Sequence, residues 1–186
     1  MGAPQFNVAT YTYADYLSWD DGERYELIDG VVYNMSPAPT RRHQQVLGKL
    51  FQAVAGITDR GRCETYVAPF DVRFTADEST DTVVQPDISV YCDPGALDER
   101  GAIGAPDLVI EILSPSTSHK DMTQKLALYE ERGVREYWVV NADARWVMVY
   151  RRGDDARYRK PDYYRVGESV RSDVLGGAEI ELAGWL

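Results

Sequence analysis

A chain of 186 residues with 44% hydrophobic and 27% charged residues can bury one sizeable core and has the composition of an ordinary soluble globular protein, which excludes extensive disorder. Its formal net charge of −10 argues against strong non-specific attraction to nucleic acid, because phosphate binding is driven by neutralising basic side chains; DNA as a partner requires a local basic patch or metal ions. Cys63 and Cys92, the two cysteines, lack C-x-x-C spacing and indicate neither a disulfide framework nor a zinc site, so a reducing cytoplasm is expected.

Residues 1–186 read as a single domain without linker, repeat or low-complexity tract. The opening "MGAPQFNVATYTYADYL" has no basic stretch followed by an apolar run. Phe6 stands where a myristoylation signal carries Ser or Thr, so neither a span nor an anchor nor an export signal is expected, and no membrane partner. "YTYADYLSWDD" has the apolar spacing of a short helix. "RYELIDGVVYNMS" then reads as two strands around Asp29-Gly30, a strong hairpin signal that puts Glu26 on one arm. Pro37 and Pro39 close the hairpin before a helix from Thr40 to about Ile57, whose inward face carries Val46, Leu47, Leu50, Phe51, Val54 and Ile57. His43 shares that face.

"CETYVAPFDVRF" and "TVVQPDISVYC" are strand-like, although Pro86 cannot donate to a sheet ladder and Asp87 is costly in a buried run. "PDLVIEILSPS" is a continuous apolar run with Glu111 at its centre, the pattern of a central strand covered on both faces. "STSHKDMTQKLALYEERG" predicts one helix with Ser118 as N-cap, Asp121 completing a capping box and Gly133 as the stop. "REYWVVNA" and "RWVMVYRRG" predict a further hairpin, followed by short strands in "YYRVGESVRS" and "AEIELAGWL". The class is mixed α and β, a sheet of six or more strands flanked by a few helices.

Two acids in apolar strands, Asp87 and Glu111, are candidates for a shared metal site. If the pleats match, their carboxylates project to one point, and a divalent cation relieves the repulsion. Mg²⁺ (or Mn²⁺) takes oxygen ligands, commonly one or two carboxylates with water and substrate phosphate, and the carbonyl of Ile112 offers another. Each residue also has a plainer reading. Asp87 would cap local amides, Glu111 would pair with an arginine such as Arg135, and Lys125 would form a helix ion pair with Asp121 at i,i+4. His43 would be a satisfied core histidine, and Arg41 and Arg42 a solvated face instead of a phosphate contact. His119 is expected to be exposed. No GxSxG, P-loop, GxGxxG or HExxH motif is present.

Pro86-Asp87, an acid in the next apolar strand and a nearby lysine resemble the PD-(D/E)XK nuclease superfamily, the restriction-endonuclease-like fold. "YELIDGVVYNMSPAP", "VQPDISVYCDP", "GAPDLVIEILSPSTSHKD" and "KLALYEERGVREYWVVNAD" look like the Uma family of restriction endonucleases, long catalogued as a domain of unknown function. The match runs in family order from about Tyr11 to Tyr150. The resemblance implies a central mixed sheet flanked by helices, a metal held by Asp87 and Glu111, an accessory acid at Glu26 and a role for His43. The superfamily pattern expects Lys two residues after the second acid, where this chain has Leu113, and the resemblance implies that Lys125 replaces it from the following helix.

The expected function is Mg²⁺-dependent hydrolysis of a DNA phosphodiester, with Arg41 and Arg42 on the backbone and Lys125 positioning water. Two rivals are a non-catalytic binding or assembly module with the same fold and a hydrolase of small phosphate esters, which the acidic balance suits better. Thirteen tyrosines and four tryptophans could cover an interface, so a homodimer with one site per strand is expected.

Overall fold

The computed structural model describes residues 10–35, 38–114 and 118–186. Expectations for the first nine residues and for Pro37 lie outside them. Helix α1 (Tyr13–Tyr16) precedes the hairpin of β1 (Tyr25–Ile28) and β2 (Val31–Asn34), and α2 (Arg41–Thr58) leads to β3 (Glu64–Val67), β4 (Val72–Arg73), β5 (Val83–Val84) and β6 (Ile88–Tyr91). The small pair β7 (Leu97–Asp98) and β8 (Gly101–Ile103) precedes β9 (Leu108–Ile112), α3 (Ser118–Met122) and α4 (Gln124–Arg132). Strands β10 (Glu136–Asn141), β11 (Trp146–Arg151), β12 (Asp162–Arg165), β13 (Ser169–Ser172) and β14 (Ala178–Glu181) follow. Among the described residues no helix is long and apolar enough to cross a membrane.

The mixed α and β class is as expected, but the strands divide between two six-stranded sheets, ordered β2-β1-β5-β4-β8-β7 and β12-β11-β10-β9-β6-β3, with β13 and β14 as a separate pair. The division arises at two prolines. "CETYVAPFDVRF" gives β3 to the second sheet and β4 to the first, with Pro69 between; "TVVQPDISVYC" gives β5 to the first and β6 to the second, with Pro86 between. A residue without an N–H donor cannot continue a ladder, so each run breaks there and changes sheet. Asp87 therefore sits at a crossing between sheets and not in the middle of a strand.

The second sheet is covered on both faces. Leu108, Ile110 and Ile112 of β9 pack with Val46, Leu47, Leu50 and Val54 of α2. Val109, one residue out of phase, joins Tyr137 and Val139 in the opposite cluster with Tyr129 of α4 and with Val72, Val84 and Ala102 of the first sheet. Period-two alternation thus turns Glu111 toward α4. Helix α2 starts where Thr40 Oγ1 accepts from the His43 N–H, a cap worth about 1 kcal/mol. Asp29 (φ 50°) and Gly30 (φ 75°) both adopt the positive φ that a two-residue hairpin turn needs. A Cβ on Gly30 would lie 2.9 Å from that of Thr10.

Two local expectations are corrected. Ser118 is not an N-cap: it is helical, and its N–H donates to the Ser114 carbonyl at 3.0 Å. The single predicted helix breaks at Thr123, whose backbone leaves the helical region (φ −128°, ψ −74°) and whose hydroxyl donates to the His119 carbonyl at 2.5 Å. A threonine that binds the preceding turn competes with helix propagation. Gly133 does stop α4, in the left-handed conformation.

The cysteine expectation is also overturned. The antiparallel register that pairs Glu64 with Tyr91 brings Cys63 opposite Cys92, and the two form a disulfide. That bond removes the cysteine-based ground for a reducing compartment.

Candidate active site

Between the two sheets and the start of α2 lies a cavity of about 350 Å³ whose walls include Glu26, His43, Asp87, Glu111, Lys120 and Lys125. Each arrives for a local reason. The β6–β9 register pairs Ile88 with Ile110, and Asp87, one residue before β6, lies close enough to β9 for its Oδ2 to accept the Ile112 N–H. Hairpin β1–β2 brings Glu26 alongside, and the backbone N–H of Gln85, in the crossing, donates to Glu26 Oε1 at 3.0 Å. His43 is one turn into α2 on its buried face.

The carboxylates are held by different partners. Asp87 Oδ2 accepts the Ile112 backbone N–H at 2.8 Å and lies 3.2 Å from His43 Nε2. Glu111 Oε1 accepts from Lys125 Nζ at 2.7 Å and from the Tyr129 hydroxyl at 2.8 Å. Lys125 Nζ is equally close to Glu26 Oε1, at 2.7 Å, with Asp121 Oδ1 3.8 Å away. Glu26 Oε2 pairs with Lys120 Nζ at 2.5 Å.

Burial and charge oppose one another throughout this cluster. Burial pushes the Glu111 carboxyl up to about 8; Lys125 pulls it down, but the charges of Asp121, Asp87 and Glu26 add to the rise. For Glu26 burial also acts upward, yet Lys125 and Lys120 outweigh it and the pKa falls below the usual value. Burial disfavours charge on Lys125, but Glu111, Glu26 and Asp121 hold its pKa well above normal. At His43 burial acts downward, and the hydrogen bond and charge of Asp87 overcome it, raising the pKa.

The plainer readings meet mixed outcomes. Glu111 does not pair with Arg135, which binds Asp107 instead at 2.9 Å. The Asp121–Lys125 contact exists, but both residues are buried at 2% exposure, so it is no solvated helix pair. His43 is buried at 7% exposure, and its Nδ1 has no hydrogen-bond partner among the described residues. Arg41 and Arg42, in the first turn of α2, do not line the cavity. The cations on its wall are Arg24, Lys120 and Lys125. Sequence reasoning missed Arg24, Lys120, Gln85 and Tyr129 as site residues. For Tyr129 a signal was available, since 121, 125 and 129 recur at the four-residue step of one helical face.

The donor set suits a hard divalent cation. Asp87 Oδ1 and Glu111 Oε2 accept no hydrogen bond among the described residues, while the partner oxygen of each is held by the protein. Among the described residues no three His, Cys, Asp or Glu side chains cluster to enclose a metal by themselves. Such an ion would therefore rely on these two carboxylates, the Ile112 carbonyl and water, a sparse protein share that is normal for Mg²⁺.

Comparisons with known proteins agree with this architecture. Uncharacterized protein slr1290 of Synechocystis sp. is 29% identical over 144 residues, 76% of this chain and 74% of that protein. The crystal structure of a "putative nuclease belonging to DUF820" from Anabaena variabilis superposes with a TM-score of 0.74 over 94% of this chain and 98% of that one, at 20% identity. This likeness shows a shared fold. The Uma2 family profile, described as "Putative restriction endonuclease", matches residues 13–183, and the chain belongs to that family.

Proposed function

We propose that the protein is a Mg²⁺-dependent endonuclease that hydrolyses phosphodiester bonds of DNA. The observation that carries the reading is that Asp87, at the crossing just before β6, and Glu111, on β9, line one cavity, each with one oxygen held by the protein and one that accepts no hydrogen bond among the described residues. Membership of the Uma2 family supports it. Asp87, Glu111 and the Ile112 carbonyl would hold the metal, which when bound lowers the pKa of water and polarises phosphate. The Ile112 N–H and His43 orient Asp87, while Lys125 and Tyr129 orient Glu111. Glu26 gathers Lys125 and Lys120 beside them. With its Nζ against two carboxylates, Lys125 acts by positioning Glu111 and Glu26.

Purified protein incubated with supercoiled plasmid and Mg²⁺ or Mn²⁺ tests this reading. Nicking is expected, and Asp87→Asn should reduce it on the order of a thousandfold, the scale of losing several kcal/mol of charge stabilisation. The variant's thermal melting should be unchanged or higher. Full cleavage by Asp87→Asn removes that residue from the mechanism.

A second reading has its own support. A cavity of about 350 Å³ lies at the small end of ligand pockets, and with the net charge of −10 it favours a small phosphate diester over a long duplex. Hydrolysis of bis(p-nitrophenyl) phosphate by a preparation that leaves plasmid intact would select it.

A further inference from the structure

The cations of the cavity fall into two classes by what already occupies their donors. Lys125 is 2% exposed and lies 2.7 Å from carboxylate oxygens of both Glu26 and Glu111. An ammonium has three donors, and this one cannot turn to a substrate without abandoning a buried acid. Lys120 differs. Among the described residues its one carboxylate contact is Glu26 Oε2, its Nζ lies 5.2 Å from the centre of the Tyr33 ring, and its side chain is 14% exposed. The β1–β2 register pairs Glu26 with Tyr33, so both meet Lys120 from one side of the hairpin, and Lys120 lines the cavity.

Arg24 stands two residues before Glu26 and lines the same cavity from an exposed position. Its guanidinium is braced: Nε and Nη2 donate to Gln85 Oε1 at 3.1 and 2.7 Å. Gln85 is itself fixed, donating through Nε2 to the Tyr16 hydroxyl at 3.0 Å and to Asp71 Oδ1 at 2.8 Å. Nη1 has no hydrogen-bond partner among the described residues. A braced guanidinium with an outward donor is suited to phosphate oxygens, since little rotamer freedom remains to be lost.

We infer that Lys120 and Arg24 form an anion-binding subsite at the mouth of the cavity that takes a backbone phosphate of a nucleic acid strand. The inference rests on the phosphodiester reading above and deepens it: it supplies the local basic patch that the net charge otherwise denies. It also moves the substrate contact away from Arg41 and Arg42, which lie off the cavity.

The test separates binding from cleavage. Anisotropy of a short fluorescein-labelled single-stranded oligonucleotide is measured in EDTA across a KCl series for wild type, Arg24→Ala, Lys120→Ala, Lys120→Arg and, as an exposed lysine outside the cavity, Lys49→Ala. Arg24→Ala and Lys120→Ala should each weaken binding roughly tenfold and lower the slope of log affinity against log salt by about one. Lys120→Arg and Lys49→Ala should keep the wild-type slope. Arg24 is exposed, so its variant reports even if loss of Lys120 perturbs the fold near Glu26. Wild-type slopes in both alanine variants, or no binding by wild type, would overturn the subsite. Plasmid nicking with Mg²⁺ in the same preparations judges the nuclease reading separately.

Discussion

Glu111 of β9 and Asp87 of the crossing before β6 line one cavity, yet one is built into the core and the other is lodged at its edge. Glu111 is 4% exposed and is held by an ammonium and a phenol. Asp87, with 18% of its side chain exposed, is held by a backbone amide and an imidazole. The difference separates two tasks. Partners of Glu111 neutralise and brace a charge that burial disfavours, so they matter to folding; those of Asp87 aim a carboxylate that water already solvates in part, so they matter to geometry.

The largest expected effect that would break this contrast comes from Lys125→Met. Removing one member of a buried ion pair costs about 3–5 kcal/mol, and here it leaves the ionised, fully buried Glu26 with Lys120 alone and takes a donor from Glu111. Urea unfolding should show that loss in the midpoint; a midpoint within experimental scatter of wild type would mean that the acids do not need the ammonium.

A pH profile sharpens the same contrast. The Glu111 carboxyl is pushed up to about 8 in the folded protein, burial being the first cause, whereas the unfolded chain releases that proton near the ordinary value of about 4.3. Between those limits the folded state binds more protons, so stability falls as pH rises through the window. In EDTA, Glu111→Gln should lack this decline, and the gap between variant and wild type should change steadily from about pH 5 to 8. Parallel profiles would refute the assignment.

His43→Gln should give the smallest effect, roughly 1 kcal/mol or less, because its partner is partly solvated. With the His43 pKa raised, chiefly by Asp87 against the pull of burial, its contribution is fully present below about pH 6.5 and fades as pH climbs through the folded value. Thermal melting at acid and alkaline pH measures it.

Much of this was legible in the chain. The Asp29-Gly30 turn, the buried stripe of α2 and the doubly covered strand around Glu111 follow from periodicity and turn chemistry, which act within a few residues. That Asp87 and Glu111 line one cavity follows from β6 pairing with β9, although Asp87 itself lies just outside the strand where matched pleats had placed it. What was hidden depends on which sheet each half of an interrupted run joins. Pro69 and Pro86 signal a break, but the exchange between sheets is set by packing among distant residues such as Val84 and Val109. Lys120 and Arg24 were illegible for the same reason, since their partners Glu26 and Gln85 are 94 and 61 residues away. The disulfide was missed because strand register, not cysteine spacing, brings its ends together.

The two crossings between sheets carry a final implication. Glu26 rides on one slab, Glu111 on the other and Asp87 at a crossing between them, and the apolar layer of Val72, Val84 and Ala102 against Tyr91, Val109 and Val139 keeps them in step. A change of volume in that layer, out of reach of any reactant, would slide one acid past the others. Engineering of this scaffold should treat its apolar seam as part of the candidate site.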